Sequence, residues 1–161
     1  MAAKGFPLVP HSSGPLRCCC ACENAHMPIT FHPKPGQVLY CDFRGYMVPE
    51  IVKTRPVVIV SPAHLARPGL VTVVPLSTTP PDPVRPYHYR LQGNPIPGST
   101  ETEVWAKCDL FASVSLERLD RVKLGRGEYR TGAVSMDQVK AIRRACLFAL
   151  GIDPANPLTY T

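Results

Sequence analysis

Arg55-Pro-Val-Val-Ile-Val-Ser61 and Leu70-Val-Thr-Val-Val-Pro-Leu76 are the stretches whose reading decides the fold class. Both are apolar, β-branched and short, and proline or glycine punctuates their ends, which marks buried strands. Pro75 is expected to end or bulge the second one, because proline cannot donate to a strand ladder. Upstream, Pro35-Gly36 forms a turn pair, and Gln37–Phe43 (QVLYCDF) alternates closely enough for a first strand. Downstream, a stiff loop, TTPPDP, leads to Tyr87–Leu91 (YHYRL), whose alternation reads as another strand. Glu103–Phe111 holds a short strand, and Leu119–Leu124 is expected to pair again. Many short, evenly spaced strands predict a small β-barrel.

One helix closes the domain. Ser135 is a good N-cap and Gln138 follows three residues later, the pattern of a capping box. Met136, Val139, Ile142, Cys146, Ala149 and Leu150 recur at helical spacing as one apolar face. Gly151 and Pro154 supply the stop. The fold class is therefore mainly β (α+β), with the domain over residues 31–152. Residues 1–30 lack either periodicity and read as a disordered N-terminal tail; 153–161 read as a second tail.

The chain has 161 residues, enough for a single domain with its own core. No run of about 18 apolar residues spans a membrane, and the first residues lack the apolar stretch of a secretory signal, so a cytoplasmic protein is expected. Nineteen prolines fall between the β-rich runs rather than in one block, which argues for ordered, stiff loops. The net charge of +6 fits a polyanionic partner, RNA or DNA being the simplest. Much of it sits at Arg118, Arg121, Lys123, Arg126 and Arg130, opposed by Asp120 and Glu128. That stretch reads either as a solvated face or as a phosphate-tracking rim. Of seven cysteines, Cys41, Cys108 and Cys146 lie in apolar contexts and read as small buried hydrophobes. Cys18, Cys19, Cys20 and Cys22 cluster, but no second C-x-x-C completes a zinc site. Residues 1–26 read instead as an upstream extension, with Met27 an alternative start. No metal or cofactor is expected.

No phosphate loop, dinucleotide fingerprint, zincin or hydrolase elbow motif is present. What remains is polar residues at the ends of apolar strands. Arg55 immediately precedes a buried run, so its guanidinium can either grip a phosphate in bidentate fashion or make a surface ion pair. Ser77, Thr78 and Thr79 follow the next run and can cap a turn or hydrogen-bond a phosphate oxygen. Glu50, Lys53 and Thr54 lie in the loop feeding the Arg55 strand. Asp109 lies at a strand end near Lys107, and His88 lies within YHYRL.

Taken in order, PGQVLYCDF, Glu50 with KTRPVVIVS, LVTVVPLSTT and PYHYRL resemble the PemK/MazF toxin family over about Pro35 to Gly151. The resemblance implies an SH3-like barrel, a homodimer, and a type II toxin that cleaves single-stranded RNA and is neutralised by an acidic antitoxin. It implies that Arg55 occupies the position of the family's catalytic arginine. Ser77, with Thr78 beside it, stands where the family has a catalytic threonine. Ala112 stands where relatives often carry a basic residue. RNA cleavage without a metal uses the 2′-hydroxyl as an internal nucleophile, so the protein must supply a base, an acid and positive charge on the transition state. Arg55, Ser77, Thr78 and Glu50 are the catalytic candidates, with Glu50 as base. Lys53, Thr54, Thr79, His88 and Asp109 are the substrate-binding candidates. Two alternatives are a non-catalytic SH3-like barrel that binds nucleic acid or protein, and a metal or redox protein organised by Cys18–Cys22.

Overall fold

A computed structural model describes residues 29–65 and 67–155. The Cys18–Cys22 cluster, Met27, residues 1–28 of the first tail and 156–161 of the second lie outside the described residues; Ile29, expected in the first tail, is instead buried in the core and donates its N–H to the Leu119 carbonyl at 3.2 Å. Among the described residues, ten strands precede one α-helix: β1 (Gln37–Cys41), β2 (Arg55–Ile59), β3 (Leu70–Ser77), β4 (His88–Arg90), β5 (Trp105–Lys107), β6 (Ala112–Ser115), β7 (Leu119–Asp120), β8 (Val122–Gly125), β9 (Glu128–Arg130), β10 (Gly132–Ala133) and α1 (Met136–Ala149). The main sheet runs β10-β1-β2-β3-β5-β4, with β6 also on β3 and β7 also on β1. Strands β8 and β9 form a separate hairpin. The pairings among the described strands do not join into a closed ring.

The apolar runs are continuous because β1, β2 and β3 are covered on both faces. Val38 pairs with Val58, and Val58 with Val74, so these three form one row facing the helix. They pack with Leu76, Ala106, Ile142 and Ala145. Leu39 pairs with Val57, and Ile59 with Val73; this opposite parity packs with Phe43, Val71, Val114 and Leu119. Burying each such side chain contributes about 1.5–3 kcal/mol, and β2 and β3 do so on both faces of the sheet. The Pro35-Gly36 turn feeds β1 through a glycine at φ +87°, and a Cβ there would sit 2.9 Å from the Val134 carbonyl oxygen.

Several expectations shift in detail. Strand β3 continues through Pro75 to Ser77 instead of ending there. Pro75 pairs with Val57 on one side and lies where the outer edge changes partner, from β6 (through Val73) to β5 (from Leu76). A residue without an N–H is best tolerated at such a gap. The first strand stops at Cys41 rather than Phe43. Only Trp105–Lys107 of the 103–111 stretch is strand, and a 3-10 turn, Cys108–Leu110, follows it. The 119–124 stretch divides between β7 on the main sheet and β8 in the hairpin. The Ser135 cap forms, its hydroxyl accepting from the Gln138 N–H. Gln138 does not return the bond, however; its side-chain oxygen accepts from the Gln92 N–H and ties the helix to the loop after β4. The buried helix face is Val139, Ile142 and Ala145, while Met136 and Leu150 are exposed. Arg143 fastens the helix to the sheet, donating twice to the Val60 carbonyl at 2.9 and 2.6 Å.

Candidate active site

Arg55 opens β2 and Ser77 closes the antiparallel neighbour β3. Extending the Val57–Pro75 register by two residues sets Arg55 opposite Ser77. Ser77 in turn pairs with Trp105, and Trp105 with Arg90. A single cross-strand row therefore reads Cys41, Arg55, Ser77, Trp105, Arg90. Alternation puts the row on the face away from the helix, since Leu76 and Ala106 between its members pack on the helix side.

The members of the row differ in engagement. Arg55 is exposed, and among the described residues its guanidinium has no hydrogen-bond or ion-pair partner. The Ser77 hydroxyl accepts from the Thr79 N–H at 3.1 Å and lies 3.3 Å from the Thr79 carbonyl, so it shapes the turn that displays Thr78 and Thr79. Trp105 donates its indole N–H to Glu103 at 3.0 Å, and the same carboxylate oxygen holds Arg90 at 3.1 Å. Glu50 lies in the exposed Met47–Glu50 turn, where its carboxylate accepts from the Met47 N–H at 2.7 Å. Lys53 and Thr54 are exposed in the segment that enters β2.

His88 and Asp109 form a second group, on β4 and on the turn after β5. They line a cleft of about 390 Å³ with Asp82, Arg85, Tyr87 and Lys107. His88 Nδ1 accepts from the Arg85 N–H at 3.1 Å, which leaves Nε2 to carry the proton, 4.0 Å from Asp109. The imidazole stacks edge-on to Tyr87. Burial holds its pKa below the usual histidine value; Asp109 opposes that shift, and Lys107 and Arg85 reinforce it. Ala112 begins β6, opposite Val73, and brings no charge to either group.

The basic stretch is less available than its composition suggests. Arg118 donates to the carbonyls of Asp42 at 2.9 Å and Arg44 at 3.0 Å, and stacks over Tyr46. Arg121 lies over Tyr129, and Arg130 pairs with Glu128 at 3.1 Å. Burial pushes the Cys41 thiol up to about 12, so it behaves as the inert apolar residue expected. Cys108 is buried and is held protonated by its contact with Cys146 and by desolvation. Among the described residues, no three His, Cys, Asp or Glu side chains gather as a metal-binding set, and no helix is long and apolar enough to cross a membrane.

The sequence pattern of the PemK-like, MazF-like toxin family of type II toxin–antitoxin systems matches residues 34–150. The chain belongs to that family. It is also 32% identical to the Escherichia coli (strain K12) protein YifN, an alignment that covers 75% of this chain and 93% of YifN. A mycobacterial endoribonuclease, solved with its cognate antitoxin, superposes with a TM-score of 0.51 at 26% identity, covering 74% of this chain and 96% of that one. MazF from Deinococcus radiodurans shares the fold with a TM-score of 0.57 at 18% identity, over 76% of this chain and 99% of its own. The two solved structures share the mainly β domain with its C-terminal helix. Sequence reasoning overlooked Trp105, Arg90 and Glu103. The lone tryptophan of the chain was the available signal, but only the strand register aligns it with Arg55.

Proposed function

We propose that this toxin is an endoribonuclease that cleaves single-stranded RNA through its 2′-hydroxyl, without a metal. The observation that carries this reading is an exposed arginine, without a partner among the described residues, at the head of a strand whose Val57–Ile59 are buried, opposite a hydroxyl-rich strand end. In the reaction, the 2′-oxygen attacks the adjacent phosphorus, the 5′-oxygen leaves, and negative charge builds on the non-bridging oxygens. Arg55 faces that charge and needs no reorganisation to do so. Thr78 and the Ser77-shaped turn orient the phosphate. Glu50 takes the 2′-hydroxyl proton, the departing 5′-oxygen takes a proton from water at this exposed site, and Lys53, Thr54 and Thr79 hold flanking phosphates. His88 and Asp109 contact the strand further along. The donor set is cationic and hydroxylic, which suits charge stabilisation without a bridging ion. A 2′-hydroxyl nucleophile makes DNA inert as a substrate.

The wider reading is a cytoplasmic homodimer whose fold is an SH3-like barrel over residues 31–152. Strands β6 and β7 support that architecture: they lie on the outer edges of β3 and β1 and are joined by one 3-10 turn. An acidic antitoxin would cover the cationic face, as the mycobacterial endoribonuclease has its own cognate antitoxin. The test is incubation of purified protein with a long RNA in EDTA, followed by end mapping. Fragments should carry a 2′,3′-cyclic phosphate and a 5′-hydroxyl; a strict need for added metal would refute the mechanism. One observation favours a non-catalytic binder instead: the Ser77 hydroxyl is already engaged by Thr79. RNA binding with no cleavage product would establish that alternative.

A further inference from the structure

We propose that Trp105 is a stacking platform for one base of the RNA strand whose phosphate Arg55 holds. This rests on the nuclease reading above and adds the residue that seats a base. Trp105 lies two strand spacings from Arg55 along the cross-strand row, about 10 Å, with Ser77 between them. A phosphate on Arg55 and a base on Trp105 are thus within reach of neighbouring nucleotides on one strand.

The indole is placed as a platform rather than as core filling. Its neighbour Ala106 is fully buried against the helix-side core, while Trp105 belongs to neither buried cluster and is only half-buried. Its N–H is tied to Glu103, which fixes the edge of the ring. Glu103 also holds Arg90, the next member of the row, whose side chain is 64% exposed. One carboxylate therefore orients an aromatic ring and a guanidinium side by side. Because Arg90 is itself paired with Glu103, the phosphate contact falls to Arg55; an aromatic face with a cation at nucleotide distance is a general solution for gripping single-stranded nucleic acid, because every base offers a π-face and a phosphate accompanies it. The platform is tolerant of base identity, so it contributes affinity and register more than sequence choice.

Because the chain contains one tryptophan, emission excited selectively at the indole, beyond the absorption of its tyrosines, reports on this ring alone. The full-length protein is titrated with a mixed-sequence 2′-O-methyl RNA, which it cannot cleave, while anisotropy of a labelled end follows binding independently. Emission should be quenched saturably at the midpoint seen by anisotropy. In cleavage assays, Trp105→Ala should raise KM roughly 5- to 100-fold with a smaller change in kcat. Trp105→Phe should restore most of the affinity and Trp105→Leu should not, although both fill volume. Binding without any change in emission would overturn the platform, as would equal KM values for the Phe and Leu variants. Quenching with no cleavage would uphold it while removing the nuclease reading, and absence of RNA binding would remove both.

Discussion

The molecule carries two cationic regions, and they differ in what their charges are doing. The 118–130 stretch is the denser, yet three of its five cations are occupied: Arg118 by two backbone carbonyls and a tyrosine ring, Arg121 by Tyr129, and Arg130 by Glu128, while Lys123 and Arg126 stand exposed on the separate β8–β9 hairpin. The row across β2, β3, β5 and β4 has fewer charges, but Arg55 has no partner among the described residues. It leads directly into Val57–Ile59, which are buried on the two faces of the sheet, and it pairs with the buried Cys41. An arginine that satisfies carbonyls stabilises a loop. An arginine held rigidly and left unsatisfied is prepared for a ligand. Charge density along the sequence measures neither condition.

The sharpest way to break this comparison is to remove one arginine from each region. Arg55→Ala should lower cleavage of a fluorogenic RNA about 10²–10³-fold while the melting temperature stays near that of the parent. Arg118→Ala should do the reverse. It strips two hydrogen bonds from a charged donor and releases the 42–46 loop, at a cost of about 1–3 kcal/mol and several degrees of melting temperature. Cleavage per folded molecule should persist. Equal losses of activity in the two variants would show that the basic stretch shares the chemistry.

How much of this was legible beforehand follows from the same contrast. The buried runs at 55–61 and 70–76 announce themselves because burial on both faces removes the need to alternate, and the Ser135 cap and Gly151 stop bound the helix by local rules. Arg55 and Ser77 were legible as strand-end residues. Their mutual position was not, because register is a relation between strands and leaves no local trace. Trp105 was missed for that reason. The division of 119–124 between a main-sheet strand and a hairpin, and the diversion of Gln138 to Gln92, depend on tertiary partners that no short window contains.

A second, smaller effect tests the hydroxyls. Ser77→Ala removes the oxygen that accepts from Thr79, so it should loosen the turn and lower cleavage by less than the Arg55 substitution. Thr78 keeps a hydroxyl at the strand end. The Ser77→Ala/Thr78→Ala double variant should therefore fall further than the product of the two single effects, because neighbouring groups that act on one phosphate do not add. Full activity in the double variant would take the hydroxyls out of the mechanism and leave Arg55 to act with Glu50.

The smallest expected effect belongs to the cleft, and it sharpens the comparison by separating binding from chemistry. His88 is nearly buried, and desolvation favours its neutral form, so its folded-state pKa lies below 6.5. Above that value neither the folded nor the unfolded chain protonates this ring, and it exerts no pH dependence. As pH falls below 6.5, the unfolded chain takes up the proton first, so stability drops until the folded pKa is also passed. Asp109 lies on the other side of the ring and limits the drop; Lys107 and Arg85 deepen it. The melting temperature of the parent should therefore fall more between pH 7.5 and 5.5 than that of His88→Gln. Glutamine can still accept from the Arg85 N–H but does not titrate. If the cleft only holds the strand, His88→Gln should move KM and leave kcat within a few-fold of the parent at pH 7.5. A loss in kcat comparable to that of Arg55→Ala would place the histidine in the chemistry and reverse the ranking of the two sites.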